Sequence, residues 1–136
     1  EYLRELVSSI KASYGYSESL VIIHVAAANI EMDVTKAIPI GLIINELLSN
    51  VYKHAFKGRE SGNLYLTMKE KESKDGCLIE VKDDGVGISS DALKEEPSSL
   101  GFTIVRGLCE QIGGKLNISS ENGTCVTIDI SREDLL

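Results

Sequence analysis

Between Ile40 and Phe56 the chain reads Ile-Gly-Leu-Ile-Ile-Asn-Glu-Leu-Leu-Ser-Asn-Val-Tyr-Lys-His-Ala-Phe, and no other run restricts the possible folds as strongly. At roughly 100° per residue, Ile40, Ile43, Ile44, Leu47, Leu48, Val51 and Ala55 share one arc of a helix. That arc has to be covered by other elements. The opposite side is polar in a particular way. With Glu46 at zero, Asn50 lies about 40° away and Lys53 about 20° the other way, while His54 falls near 80°, at the border of the apolar arc. A carboxylate, a carboxamide and an ammonium therefore line one stripe. A solvated face with an incidental Glu46–Lys53 pair accounts for the stripe. So does a surface that meets Mg²⁺ and a triphosphate, because an amide oxygen suits Mg²⁺, a lysine suits phosphate and a carboxylate can orient water or take a proton.

The remaining elements say what covers the helix. Glu1–Tyr14 places Leu3, Leu6, Val7, Ile10 and Tyr14 at helical spacing, and Gly15 ends it. Leu20–Ala26 is rich in branched residues and reads as a strand. Asp33 and Thr35 are both plausible N-caps for the long helix; with Thr35 as cap, Pro39 falls in the first turn. Asn63–Glu70 and Cys77–Lys82 read as two strands joined by a charged hairpin with Asp75-Gly76 as turn dipeptide. Asp83 to Gly101 is a loop rich in Gly, Ser and Asp. Phe102–Ile112 is a second helix stopped by Gly113-Gly114. Lys115–Ser120 and Thr124–Ser131 form a last hairpin around Glu121-Asn122-Gly123. This order predicts an α+β fold, a mixed sheet of about five strands with helices layered on one face.

Two glycine-bearing segments add chemistry. Asp83-Asp84-Gly85-Val86-Gly87-Ile88 puts a carboxylate at a strand end, followed by two closely spaced glycines. Such a carboxylate can accept a hydrogen bond from an adenine amino group, and glycines let backbone approach a flat ligand; a turn with solvated aspartates is the plainer alternative. Ser98-Ser99-Leu100-Gly101-Phe102 brings glycine to a helix entrance, where backbone amides form an anion site; an N-cap by Ser98 or Ser99 competes. Neither segment has the pattern of a P-loop or of a dinucleotide-binding turn. Gly123-Thr124, read alone, is a turn.

In order, these blocks resemble those of the GHKL (Bergerat-fold) ATPase superfamily of gyrase, chaperone, histidine-kinase and mismatch-repair ATPases. Asn45-Glu46-Leu47-Leu48-Ser49-Asn50-Val51-Tyr52-Lys53-His54-Ala55 is similar to the asparagine box of sensor histidine kinases. Asp83-x-Gly85-x-Gly87 is similar to their first glycine box, and Leu100-Gly101-Phe102-x-Ile104-Val105 to their second. The wording is closest to a subfamily with a short nucleotide lid, here between Ile88 and Leu100. The second glycine box departs from the usual pattern, because Ser98 and Ser99 stand where further glycines are common, and the lid has no clear phenylalanine box. The resemblance implies a two-layer α/β sandwich that holds ATP between helices and sheet. It implies Asp83 at the adenine amino group with Thr124 in support, and Gly85, Gly87 and Ile88 in the adenine loop. It further implies Asn50 as Mg²⁺ ligand, Lys53 and His54 at phosphate or ribose, and Glu46 as the catalytic residue at the metal or the incoming histidine. Leu100, Gly101 and Phe102 would lie beside the phosphates.

The function implied is transfer of the ATP γ-phosphate to a histidine on an upstream helical domain of the same protein or its dimer mate. From there the phosphoryl group would pass to a response-regulator receiver domain. Residues 1–14 are then expected to end that helical region or its linker, with 15–136 as the catalytic domain. An opening Glu1 fits a piece of something longer, whose acceptor histidine would lie further upstream. His24, in a strand, and His54, facing nucleotide, are not expected to be acceptors. Alternatives are a stand-alone GHKL serine kinase of the anti-sigma type, a GHKL ATPase in which Glu46 activates water, and a nucleotide-binding scaffold without phosphotransfer. The formal charge of −7 argues against nucleic acid as main partner. No apolar run approaches the roughly 18 residues of a membrane span, so direct membrane contact by this domain is not expected. Three cysteines without metal-like spacing fit reduced thiols and a cytoplasmic setting.

Overall fold

The computed structural model describes residues 5, 8, 20–28, 30, 32–50, 61–73, 75–85, 100–120 and 123–136. Strand β1 (Leu20–Ala27) leads to helix α1 (Val34–Asn50), then strands β2 (Ser61–Glu70) and β3 (Gly76–Asp83), helix α2 (Leu100–Gln111), strands β4 (Lys115–Ser119) and β5 (Cys125–Ser131), and a short helix α3 (Arg132–Leu135). The strands form one sheet in the order β1-β2-β3-β5-β4. Only β1 and β2 run parallel; the other three pairs are antiparallel. Glu5 and Ser8 are helical. The rest of the expected first helix, and the expected extension of α1 to Phe56, lie outside the described residues.

Alternation along the strands sorts the sheet into a dry and a wet face. Ile23, Leu64, Leu66, Met68, Cys77, Ile79, Val81, Val126, Ile128 and Ile130 point to one side. There they join Ile40, Ile43, Ile44, Leu47 and Leu48 of α1 and Val105, Cys109 and Ile112 of the α2 side in a single core. The part of the apolar arc that falls on α1, Ile40, Ile43, Ile44, Leu47 and Leu48, is thus its buried face, and Val51 and Ala55 lie outside the described residues. The opposite sheet face carries His24, Asn63, Tyr65, Glu80 and Lys82, and is open to solvent to varying degrees.

Capping chemistry fixes the helix ends. Of the two candidate caps, Asp33 is the one used: its Oδ1 accepts from the Thr35 N–H at 2.9 Å and the Thr35 hydroxyl at 2.8 Å. The Asp33 carbonyl starts the helical ladder by accepting from Lys36 and Ala37. Pro39 consequently sits in the second turn of α1, not the first, and its missing N–H leaves the Thr35 carbonyl without its ladder partner. At the C-terminal end of α2, Gly113 has φ 73°. Its N–H donates to Glu110 and the Gly114 N–H to Cys109, at 3.1 and 2.8 Å. These are the two bonds of a Schellman stop, which needs a left-handed residue where glycine stands.

Helix α3 has no counterpart in the elements expected from the sequence. Ser131 caps it, with Oγ accepting from the Asp134 N–H and donating to the Asp134 carboxylate, and Leu135 plugs the core. The helix gathers three distant parts. Its Leu135 carbonyl accepts from the Asp33 N–H, its Arg132 N–H donates to the Asp75 carbonyl at the β2–β3 hairpin, and its Asp134 carboxylate adjoins Gly113.

Candidate nucleotide site

The α3 contacts orient both long helices. Asp33, the cap of α1, and Gly113, just past the end of α2, lie at α3, together with the β2–β3 hairpin. At about 1.5 Å per residue, α1 runs from there toward the other end of the sheet, carrying Glu46 and Asn50 with it. α2 runs the opposite way, so Leu100, Gly101 and Phe102, its first turn, also lie toward that other end. Strand β3 finishes at Asp83 and β5 starts beside it, with Lys82 paired to Cys125. Glu46 and Asn50 of α1, the N-terminal amides of α2 and the Asp83 loop therefore all lie toward the same end of the molecule.

Asp83 is the chemical centre of that end. Its side chain points to the dry face and is only 3% exposed, the one charged residue in the buried set among the described residues. A carboxylate there needs donors to offset lost hydration. The Gly85 N–H supplies one at 2.9 Å and the Thr124 N–H another at 3.3 Å, both to Oδ1. The Asp83 N–H in turn donates to the Thr124 carbonyl at 2.9 Å. Thr124 and Asp83 are thus joined by the β3–β5 pairing. Gly123 makes the approach possible: φ is 116°, and a Cβ there would fall 2.0 Å from the Asp83 carbonyl oxygen.

On α1, Glu46 and Asn50 are four residues apart and half-buried, on the flank of the buried Ile43–Leu47 face. The Asn50 Nδ2 is buried and has no hydrogen-bond partner among the described residues, a costly state for an amide unless something else supplies the partner. The amide can turn either its oxygen or its nitrogen toward such a group, so Asn50 fits a hard cation with its attendant phosphate oxygens. Next to Thr124, burial raises the Cys125 thiol above its ordinary pKa, with Glu80 adding to the shift. Burial also pushes Cys77 and Cys109 up to about 11. All three thiols are free and serve as packing groups.

Of the residues singled out from the sequence, Asp83, Gly85 and Thr124 are in direct hydrogen-bond contact, and Glu46, Asn50 and the backbone of Leu100, Gly101 and Phe102 lie toward the same end. Lys53, His54, Gly87 and Ile88 lie outside the described residues. Three further residues, which sequence reasoning does not single out, are tied to the site. Gly123 reads as an ordinary turn glycine, and Asn63 and Asp84 bond to one another beside Asp83. The doubled aspartate is the available signal for the last.

The family model for histidine kinase-, DNA gyrase B-, and HSP90-like ATPases matches residues 35–134. Blue-light-activated histidine kinase 2 of Erythrobacter litoralis (strain HTCC2594) is 35% identical over 130 residues, covering 95% of this chain and 37% of that protein. The chain thus spans little more than a third of the length of this curated relative. The solved histidine kinase domain of a blue-light-activated histidine kinase from Erythrobacter litoralis has a TM-score of 0.86 at 32% identity, over 98% of this chain and 60% of that one. The Acinetobacter baumannii histidine kinase AdeS shares the fold, with TM-score 0.74 at 15% identity over 96% of this chain and 64% of that chain. With its convergent polar end and these matches, the chain is an ATP-binding domain that belongs to the histidine kinase-, DNA gyrase B- and HSP90-like ATPase family, on its histidine-kinase side.

Proposed function

We propose that this domain holds MgATP at the Asp83 end of the sheet and presents its γ-phosphate to a histidine on a helical domain of the same protein or its dimer mate. In this reading residues 1–14 end that helical region and 15–136 form the catalytic domain. The buried Asp83 carboxylate, fixed by the Gly85 and Thr124 amides, carries the proposal. It accepts from the adenine amino group, with Thr124 in support, while Gly85, Gly87 and Ile88 form the adenine loop. Asn50 ligates Mg²⁺, whose charge neutralises the β- and γ-phosphate oxygens when bound. Lys53 and His54 contact phosphate or ribose, and the first-turn amides of α2 at Leu100, Gly101 and Phe102 face the phosphates.

Transfer then needs little covalent help from the protein. The acceptor imidazole nitrogen attacks phosphorus in line, the bond to ADP breaks, and positioning supplies most of the acceleration. Glu46 assists at the metal or the incoming histidine. A receiver domain of a response regulator takes the phosphoryl group onward. No helix among the described residues is long and apolar enough to cross a membrane. Three free thiols suit a reducing cytoplasm.

Calorimetric titration with ADP and Mg²⁺ tests the site. The wild type binds, and Asp83→Asn weakens binding about tenfold or more, the scale of a hydrogen bond to a charged group. No binding by the wild type, or unchanged affinity in Asp83→Asn, contradicts the assignment. With the upstream helical region supplied, the phosphorylated product is acid-labile, as phosphohistidine is. An acid-stable phosphoserine product on a separate partner would instead favour the anti-sigma kinase reading.

A further inference from the structure

On the wet face of the sheet, directly behind the Asp83 carboxylate, four side chains from three separate segments are joined. Parallel pairing sets Ile22 beside Asn63 and His24 beside Tyr65. The His24 ring lies on the Tyr65 ring, with centroids 4.7 Å apart and planes within 12°. His24 Nε2 is 3.0 Å from Asn63 Oδ1. An amide oxygen can only accept, so Nε2 carries the proton and donates. The Asn63 amide then passes the chain on: Nδ2 donates to Asp84 Oδ2 at 3.0 Å, and the Asn63 backbone N–H donates to Asp84 Oδ1 at 2.8 Å. The Asp84 N–H returns a bond to the Asn63 carbonyl at 3.2 Å.

Three hydrogen bonds thus tie Asp84 to Asn63, two of them charge-assisted. Beyond Asp83 the chain leaves the β2–β3 ladder, which ends at the pair Leu64 and Asp83. Asp83 and Asp84 are consecutive, with one side chain on each face of the sheet: Asp83 is buried and Asp84 exposed. Whatever fixes the Asp84 peptide unit therefore fixes where the Asp83 carboxylate and the Gly85 amide point. An exposed carboxylate that merely solvates a turn would not need to grip both the backbone and the side chain of one asparagine on the neighbouring strand.

We propose that Asp84 and Asn63, backed by His24, are positioning residues for nucleotide recognition: their brace on the open face holds the Asp83–Gly85 loop in the conformation that reads the purine. This rests on the nucleotide-binding reading above, and it adds that base discrimination is controlled from the far side of the sheet. Asn63→Asp sets two carboxylates against each other and breaks the brace by repulsion. Adding Asp84→Asn exchanges the two side chains and restores a carboxylate–carboxamide pair.

The test uses the full chain and measures ADP and GDP affinity with Mg²⁺ in the wild type, Asn63→Asp, Asp84→Asn and the double exchange, with melting temperature followed in parallel. The expected result is a loss of ADP affinity of about tenfold in Asn63→Asp, a smaller ratio of ADP to GDP affinity, and recovery of both in the double exchange. Wild-type affinity and ADP preference in both single variants overturn the brace while leaving the nucleotide site standing. A lowered melting temperature with unchanged base preference, or no recovery in the double exchange, also overturns it, because the pair is then only structural. A wild type that binds neither nucleotide overturns the site and the brace together.

Discussion

A methyl group on Gly123 would meet the Asp83 carbonyl oxygen at 2.0 Å, and the residue holds φ at 116°. Gly123→Ala is expected to lose about 2 kcal/mol or more in urea unfolding and to weaken nucleotide binding, since the displaced atoms belong to Asp83. Gly107, on the exposed side of α2, has nothing within 4 Å of the place a Cβ would occupy. There the same substitution is expected to gain roughly 0.5–1 kcal/mol from helix propensity, and equal effects at the two sites would contradict this account. The contrast also marks what could be read from the sequence. Asp83, Gly85 and Gly87 announce themselves because they are neighbours. Gly123 looks like any turn glycine, because the atoms that require it belong to a distant strand, β3. The burial of Asp83 is invisible in the sequence for the same reason: its partner Thr124 immediately precedes β5.

At the scale of elements, periodicity placed α1, α2 and the five strands, and capping decided where α1 starts and α2 stops. Two side chains could have started α1, and Asp33 does so by bonding both the backbone and the hydroxyl of Thr35. Those bonds hold its carboxyl below the usual value of 3.8. A group whose folded pKa is depressed stabilises the fold above its unfolded pKa and loses that contribution as pH falls through the folded value. Thermal melts from pH 5 to pH 2 are therefore expected to show a larger drop for the wild type than for Asp33→Ala, which starts lower at pH 5; parallel curves would contradict the cap. Helix α3 was legible in principle. Ser131-Arg-Glu-Asp134 has the spacing of a capping box, but four residues after a strand offer no periodicity to reveal a helix.

At the scale of the molecule, the alternation of strands and helices gave the layered α+β architecture, because each element had one face to bury. Strand order was not legible. Nothing local says that β5 inserts between β3 and β4, yet that insertion brings Thr124 to Asp83 and builds the site. Nor does sequence show that α3 gathers the start of α1, the end of α2 and the β2–β3 hairpin, which turns Asn50, the first turn of α2 and the Asp83 loop toward one end. Amide NMR shifts during titration with ADP and Mg²⁺ test that convergence most directly. The shifts are predicted to concentrate at Asn50, Asp83, Gly85, Gly101 and Thr124, with little change at Asp33, Asp75, Gly113 and Leu135. Shifts gathered at the α3 end instead, or none at saturating nucleotide, would contradict it.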